Sequence, residues 1–128
     1  MDESLSKGFE QAERARVRGI DYMEINDNAN SATSYTFPGP DSGYAWSIKI
    51  ASAVLSAAAT LNVYAGSSTT APIGSVTLAG AGPAIITWTS NIAIVRDGRQ
   101  ILLVATAGSI GAVKLIAKQV PNEMIGKL

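Results

Sequence analysis

Serine and threonine hydroxyls are plentiful in this chain, but nothing stands ready to activate them. The sequence contains no histidine and no cysteine. A hydroxyl attacks only when a neighbouring base takes its proton, and the side chain most often used as that base is missing. The lysines in the body alternate along predicted strands, as solvent-facing residues do. Without cysteine, neither a disulfide nor a thiolate metal site can form, and the redox compartment stays open. Glycoside chemistry needs two facing carboxylates, yet residues 28–122 hold only Asp41 and Asp97, and Asp97 is explained by the turn it forms with Gly98. Asp27, Asn28 and Asn30 would supply oxygens to a calcium ion, but the EF-hand spacing and its closing glutamate are absent. An Asx-rich turn accounts for them. The glycine-containing stretches GAGP (80–83) and GSIG (108–111) open no helix, so neither is a phosphate cradle. The expectation is a protein that is not an enzyme and holds no cofactor or metal.

Aromatic side chains offer another kind of chemistry. Tyr44, Trp46, Tyr64 and Trp88 would make a stacking platform for a sugar. Trp46 and Trp88 fall on the apolar faces of their strands and are more simply anchors of a core or interface. Tyr64 lies opposite the Leu61 and Val63 set, as a contact residue or an ordinary exposed aromatic.

The elements that would carry these residues are strands. Across residues 45–66 apolar positions recur every second residue, the period of a strand with one face in a core. Trp46, Ile48, Ile50, Ser52 and Val54 form one line, and Ala45, Ser47, Lys49, Ala51 and Ala53 the other. A second strand with Leu61 and Val63 inward follows a short link at 56–59, which predicts a hairpin between the two. The alanine-rich run 51–59 has helical propensity, but its alternating, β-branched flanks favour a strand. A first strand is expected at 20–26, loop chemistry at 26–34, and an edge strand at 35–37 before Pro38-Gly39-Pro40. Further strands are expected at 73–79, 84–89 and 92–95. Asp97-Gly98, between apolar runs, predicts a hairpin. The run 100–107 is apolar on both faces, as an interior strand would be. Over 112–120, Val113, Leu115 and Ala117 alternate with Lys114, Ile116 and Lys118. About eight strands separated by turn chemistry, with no intervening helical segments, predict an all-β antiparallel β-sandwich or jelly-roll-like fold. Residues 2–18 read as a helix with Leu5, Phe9 and Ala12 on one side. The chain thus divides into an arm (1–19), a sandwich (20–121) and a tail (122–128).

At 128 residues and zero net formal charge, the chain can bury one core and has no electrostatic bias toward nucleic acid. No window is apolar for long enough to span a membrane as a helix, and the charged N-terminus does not read as a signal peptide. Eleven of the twenty charged residues fall within positions 1–27, and only seven within 28–122. Free domains of this size usually carry more surface charge, so much of the body's surface is expected to meet other protein, or to be hydroxyl-rich and solvated.

Three stretches resemble the small β-sandwich virion proteins of tailed bacteriophages, which decorate the head or sit at the neck or tail. They are SIKIASAVLSAAATLNVYAGSS (47–68), TWTSNIAIVRDGRQILLVATAG (87–108) and VPNEMIGKL (120–128). The likeness spans roughly residues 44–128. It implies a non-enzymatic subunit present in repeated copies in the virion, assembled in the host cytoplasm and docked through its terminal arms. The expected function is capsid decoration or cement. The partner would be the major capsid protein or another virion protein, and the oligomer a homotrimer, with no nucleic acid or membrane partner. Candidate contact residues are Leu5, Phe9, Arg14, Arg16 and Arg18 in the arm, Tyr64 in the body, and Met124, Ile125 and Leu128 in the tail. Rival readings are a neck or tail component and a carbohydrate-binding module using Tyr44, Tyr64 or a tryptophan.

Overall fold

A computed structural model describes residues 21–66, 71–90 and 92–123. The predicted helical arm and the contact residues Leu5, Phe9, Arg14, Arg16, Arg18, Met124, Ile125 and Leu128 lie outside the described residues. Within them the chain forms nine strands: β1 (Asp21–Ala32), β2 (Ser34–Phe37), β3 (Tyr44–Leu55), β4 (Ala59–Ala65), β5 (Gly74–Leu78), β6 (Gly82–Thr87), β7 (Ile94–Arg96), β8 (Ile101–Ala105) and β9 (Ile110–Pro121). All pairings are antiparallel. One sheet runs β1-β9-β3-β6, with β7 also paired to β3, and the other runs β2-β8-β4-β5. Strands consecutive in the chain mostly sit in opposite sheets. That is the jelly-roll winding, and the all-β sandwich expected from the alternation is the fold observed.

The core is the apolar layer between the sheets. Trp46, Ile48, Leu55, Ile110 and Leu115 come from one sheet and Phe37, Leu61, Val63, Ile101 and Leu103 from the other, all at most 4% exposed. Alanines 51, 53, 84 and 117 are fully buried among them. Small residues let the layers approach, and the larger aliphatic side chains interdigitate over them. Gly74 serves the same close approach. A Cβ there would stand 2.6 Å from Cζ2 of Trp88, whose indole N–H donates to the Ile73 carbonyl at 3.1 Å.

Two predicted hairpins are crossings between sheets instead. β3 has β9 along one edge and β6 and β7 along the other, so no edge remains for β4. Residues 56–58 carry the chain over to the opposite sheet, where β4 pairs with β5 and β8. The crossing is fastened to the β8–β9 link: the Ser56 N–H donates to the Ser109 carbonyl at 3.0 Å and the Ser109 N–H to the Ser56 hydroxyl at 2.8 Å. Asp97-Gly98 does turn the chain, with Gly98 at φ 79°, but it joins β7 in one sheet to β8 in the other. The carboxylate of Asp97 latches this end, accepting from the Gly43 N–H at 2.8 Å and the Asn122 side-chain amide at 3.3 Å.

The loop expected at 26–34 is mostly strand, because β1 continues to Ala32 through a register break between Asn28 and Ala32. Asn30 and Ser31 adopt positive φ there, 53° and 68°. The Asx chemistry is present, but it shapes a β-bulge rather than ending the strand.

Candidate functional site

The two outer faces of the sandwich differ in what they present. On the four-stranded sheet, cross-strand pairs set Asn62 against Ser75, Thr60 against Thr77 and Thr36 against Leu102. Thr60 and Thr77 share a hydroxyl–hydroxyl bond of 2.8 Å, and the Thr60 N–H donates to the Thr106 hydroxyl at 2.9 Å. The hydroxyls of Thr60, Thr77 and Thr106 are thus engaged within the protein. Tyr64 lies on it, opposite Leu61 and Val63 as the alternation requires, but it is only 8% exposed. Its ring is therefore not the open aromatic contact expected from the sequence.

The outer face of the five-stranded sheet is built by a slip in β3. Ile48 pairs with Ala117 of β9 and Ile50 with the preceding residue, Ile116, leaving Lys49 as an extra residue. One inserted residue inverts the side-chain parity beyond it. Before the bulge, Trp46 and Ile48 point into the core. After it, Ala51, Ala53 and Leu55 do, while Ile50, Ser52 and Val54 turn outward. The uninterrupted Trp46-to-Val54 line read from the sequence is corrected at Lys49. The result is an apolar patch in which Ile50 lies directly opposite Ile116, and Ile85 of β6 sits across from Ser52, diagonal to both Ile50 and Val54. Ile85 is 55% exposed and Val54 44%, and Tyr22 of β1 stands at the far side of the same face at 67%. Three of the five exposed large apolar side chains among the described residues are on this face, and none is on the hydroxyl-bearing one. Charge flanks it on both sides: Lys114 meets Glu24 at 3.3 Å on the β1–β9 side, and exposed Arg96 of β7 stands opposite Ala45 at the other edge of the sheet. This is the chemistry of an apolar contact surface edged by charge.

Both tryptophans are spent on the core: Trp46 is 4% exposed, with its indole N–H on the Gln119 side-chain oxygen at 3.0 Å, and Trp88 is 8% exposed. Tyr44, 37% exposed, is the remaining aromatic of the sugar-platform set with an open ring. The side-chain oxygens of Asp27 and Asn28 are engaged locally. Asp27 accepts from the Tyr35 hydroxyl and from the Asn28 N–H at 2.8 Å, and Asn28 accepts from the Asn30 N–H at 2.7 Å. The tyrosine bond, reinforced by the Asn28 N–H, holds Asp27 below the usual carboxylate range and pushes the Tyr35 hydroxyl up. Asp97 is likewise lowered, first by the Gly43 N–H and then by Asn122. Among the described residues no three acidic side chains converge, and no helix is long and apolar enough to cross a membrane. An open depression at the sandwich end is lined by Gly39, Pro40, Ala65, Gly66, Arg99 and Gln100. Its lining carries one cation and no carboxylate, so it offers no acid–base pair.

The patch residues were missed because nothing in Ile50, Val54 or Ile85 distinguishes them from core aliphatics. The one available signal was Lys49, a charge in the middle of an otherwise apolar strand.

No protein-family model matches the sequence, and no curated protein does. Among solved structures the chain is similar in fold to the coat protein of Tobacco streak virus in a dimer structure, at 10% identity and TM-score 0.47, covering 81% of this chain and 86% of that one. It is similar to the Drosophila NLP core, described with pentamer formation and histone binding, at 13% identity and TM-score 0.44, covering 77% and 97%. It is also similar to a subunit of Bacillus endospore appendages, described as disulfide-linked pili, at 17% identity and TM-score 0.39, covering 80% and 86%. At these identities the likeness is one of jelly-roll sandwiches.

Proposed function

We propose that the protein is a non-enzymatic virion structural subunit, a capsid decoration or cement protein that assembles as a homo-oligomer and binds across major capsid subunits. The observation that carries this reading is the outer face of the five-stranded sheet, where Ile50, Val54, Ile85 and Ile116 adjoin without an intervening charge. Burying a side chain of this size is worth about 1.5–3 kcal/mol, so a few such contacts repeated over many copies stabilise a shell. Arg14, Arg16 and Arg18, together with Met124, Ile125 and Leu128, are proposed as further contacts with neighbouring subunits.

Cryo-electron microscopy of particles assembled with and without this chain tests the reading. The expected result is ordered density over the joints between capsid subunits, together with a lower bursting threshold when the chain is omitted. Density confined to the neck or tail would replace cement by the rival structural role. Absence from particles would overturn the virion reading. A second reading, a carbohydrate-binding module, rests on the open ring of Tyr44 and predicts a saturable fluorescence change with a sugar panel. With both indoles in the core, no such change is expected.

A further inference from the structure

The edges of the two sheets are not defended alike. An edge strand offers unpaired N–H and C=O groups to any other strand, and charge, proline or cover ordinarily blunts it. β1 carries Glu24 and Asp27, and β6 and β7, which share one edge of β3, carry Pro83 and Arg96. β2 is tied to β1 by the Tyr35 hydroxyl on Asp27. β5 has none of these. Among the described residues it pairs with β4 alone. No charged residue occurs between Lys49 and Arg96, a stretch that includes β4, β5 and β6.

The backbone groups that β5 turns outward follow from its pairing. The Thr60 N–H donates to the Thr106 hydroxyl at 2.9 Å and the Thr106 N–H to the Thr60 carbonyl at 3.0 Å, so Thr60 bonds on the β8 side. Alternate residues of an antiparallel strand bond to opposite neighbours, hence Leu61 and Val63 bond toward β5. Val76 lies opposite Leu61 and turns its N–H and C=O to β4, while Ser75 and Thr77 turn theirs to the open edge. Apolar surface is open there too. Ile73, Val76 and Leu78 pack on the core yet stay half-buried, whereas Leu61 and Val63 beside them are fully buried.

We propose that β5 is a self-association edge, pairing antiparallel with β5 of a second copy about a twofold axis at Val76. Ser75 of one copy exchanges both backbone bonds with Thr77 of the other, and the two four-stranded sheets become one. A twofold contact brings each strand against its own equivalent. A charged strand then meets its own charge, and an uncharged one does not, which makes a second copy the fitting occupant of this edge. β6 lies against β5 as the edge of the other sheet on this flank, so Ile85 borders the seam. The inference rests on the proposed function only in requiring that copies of the chain associate, and it holds with or without a shell.

Amide hydrogen exchange of the full chain tests this at two concentrations, one at which sedimentation shows association and one at which it shows the monomer. The Ser75 and Thr77 amides are expected to be protected in the first and to exchange freely in the second, because exchange follows the open population and association follows mass action. Ser75→Pro removes an outward N–H and Ser75→Lys puts a charge on the edge. Each is expected to weaken association about tenfold or more, and Ser75→Ala to leave it unchanged. The lysine variant keeps every backbone bond of β5 and decides the matter if the proline variant does not fold. Association with both amides still exchanging freely would place the contact elsewhere and overturn the proposal, leaving the homo-oligomer intact. Protection that persists in the monomer would show the edge covered within one chain and overturn it as well. A parent chain that is monomeric at every concentration would overturn the homo-oligomer and this inference together.

Discussion

At the scale of single residues, the molecule separates side chains that hold it together from side chains that face outward. Leu61 is fully buried between the sheets, so Leu61→Ala should cost about 2–5 kcal/mol, read as a lower denaturant midpoint. Val54 faces outward, and Val54→Thr should stay within about 0.5 kcal/mol of the parent. Asp97 gives a pH signature. Its carboxylate is lowered by the Gly43 N–H first and Asn122 second, so the charged form is favoured in the folded state. The stability it contributes is complete above the ordinary carboxylate range and is lost as pH falls through its lowered value. Asp27 moves in the same direction. Asp97→Asn should therefore flatten part of the acid limb of a stability-against-pH curve while leaving the rest. An unchanged acid limb would show that the latch at Gly43 contributes nothing.

At the scale of elements, the decisive feature is one residue. Lys49 is the extra residue of the β3 bulge, and removing it restores unbroken alternation across residues 46–55. Ile48 would then be followed directly by Ile50, which keeps Ile50, Ser52 and Val54 outward and Ala51, Ala53 and Leu55 inward, as they already are. Deleting Lys49 should thus keep a cooperative thermal transition, at a lower midpoint because the Trp88 backbone N–H loses the Lys49 carbonyl it donates to at 2.9 Å; loss of the transition would show that the bulge itself is required. Gly74→Ala should cost about 1–3 kcal/mol, because the added carbon meets the Trp88 ring, which its bond to Ile73 holds in place. The strands themselves were legible where polarity alternates cleanly, as in β9 with Val113, Leu115 and Ala117 against two lysines. The phase slip in β3 was not, since a bulge is set by the register of two partners and has no residue type of its own. Sheet membership was equally hidden: a three-residue link such as 56–58 permits either a hairpin or a crossing. The choice falls to β9, β6 and β7, which occupy both edges of β3. In β1, Asn and Asp signalled a loop although β9 offers partners that keep the backbone extended through the bulge.

At the scale of the whole molecule, the sparse charge of the body reads differently on its two outer faces. On the four-stranded sheet, Thr60, Thr77 and Thr106 satisfy one another, the hydroxyl-rich surface that composition allowed. On the five-stranded sheet, aliphatic side chains fill the places where charge is missing. The candidate contact surface was therefore legible as a deficit of charge, but its location was not, because it depends on the bulge. Ile85 and Val54 are the open part of that surface, and the account rests on this part being an interface. Analytical ultracentrifugation of the intact chain and of its Ile85→Asp variant at matched concentrations measures that directly. The account predicts a concentration-dependent oligomer for the parent and a monomer for the variant, with unchanged secondary structure. A parent that sediments as a monomer at every concentration, or a variant that assembles as the parent does, would contradict it.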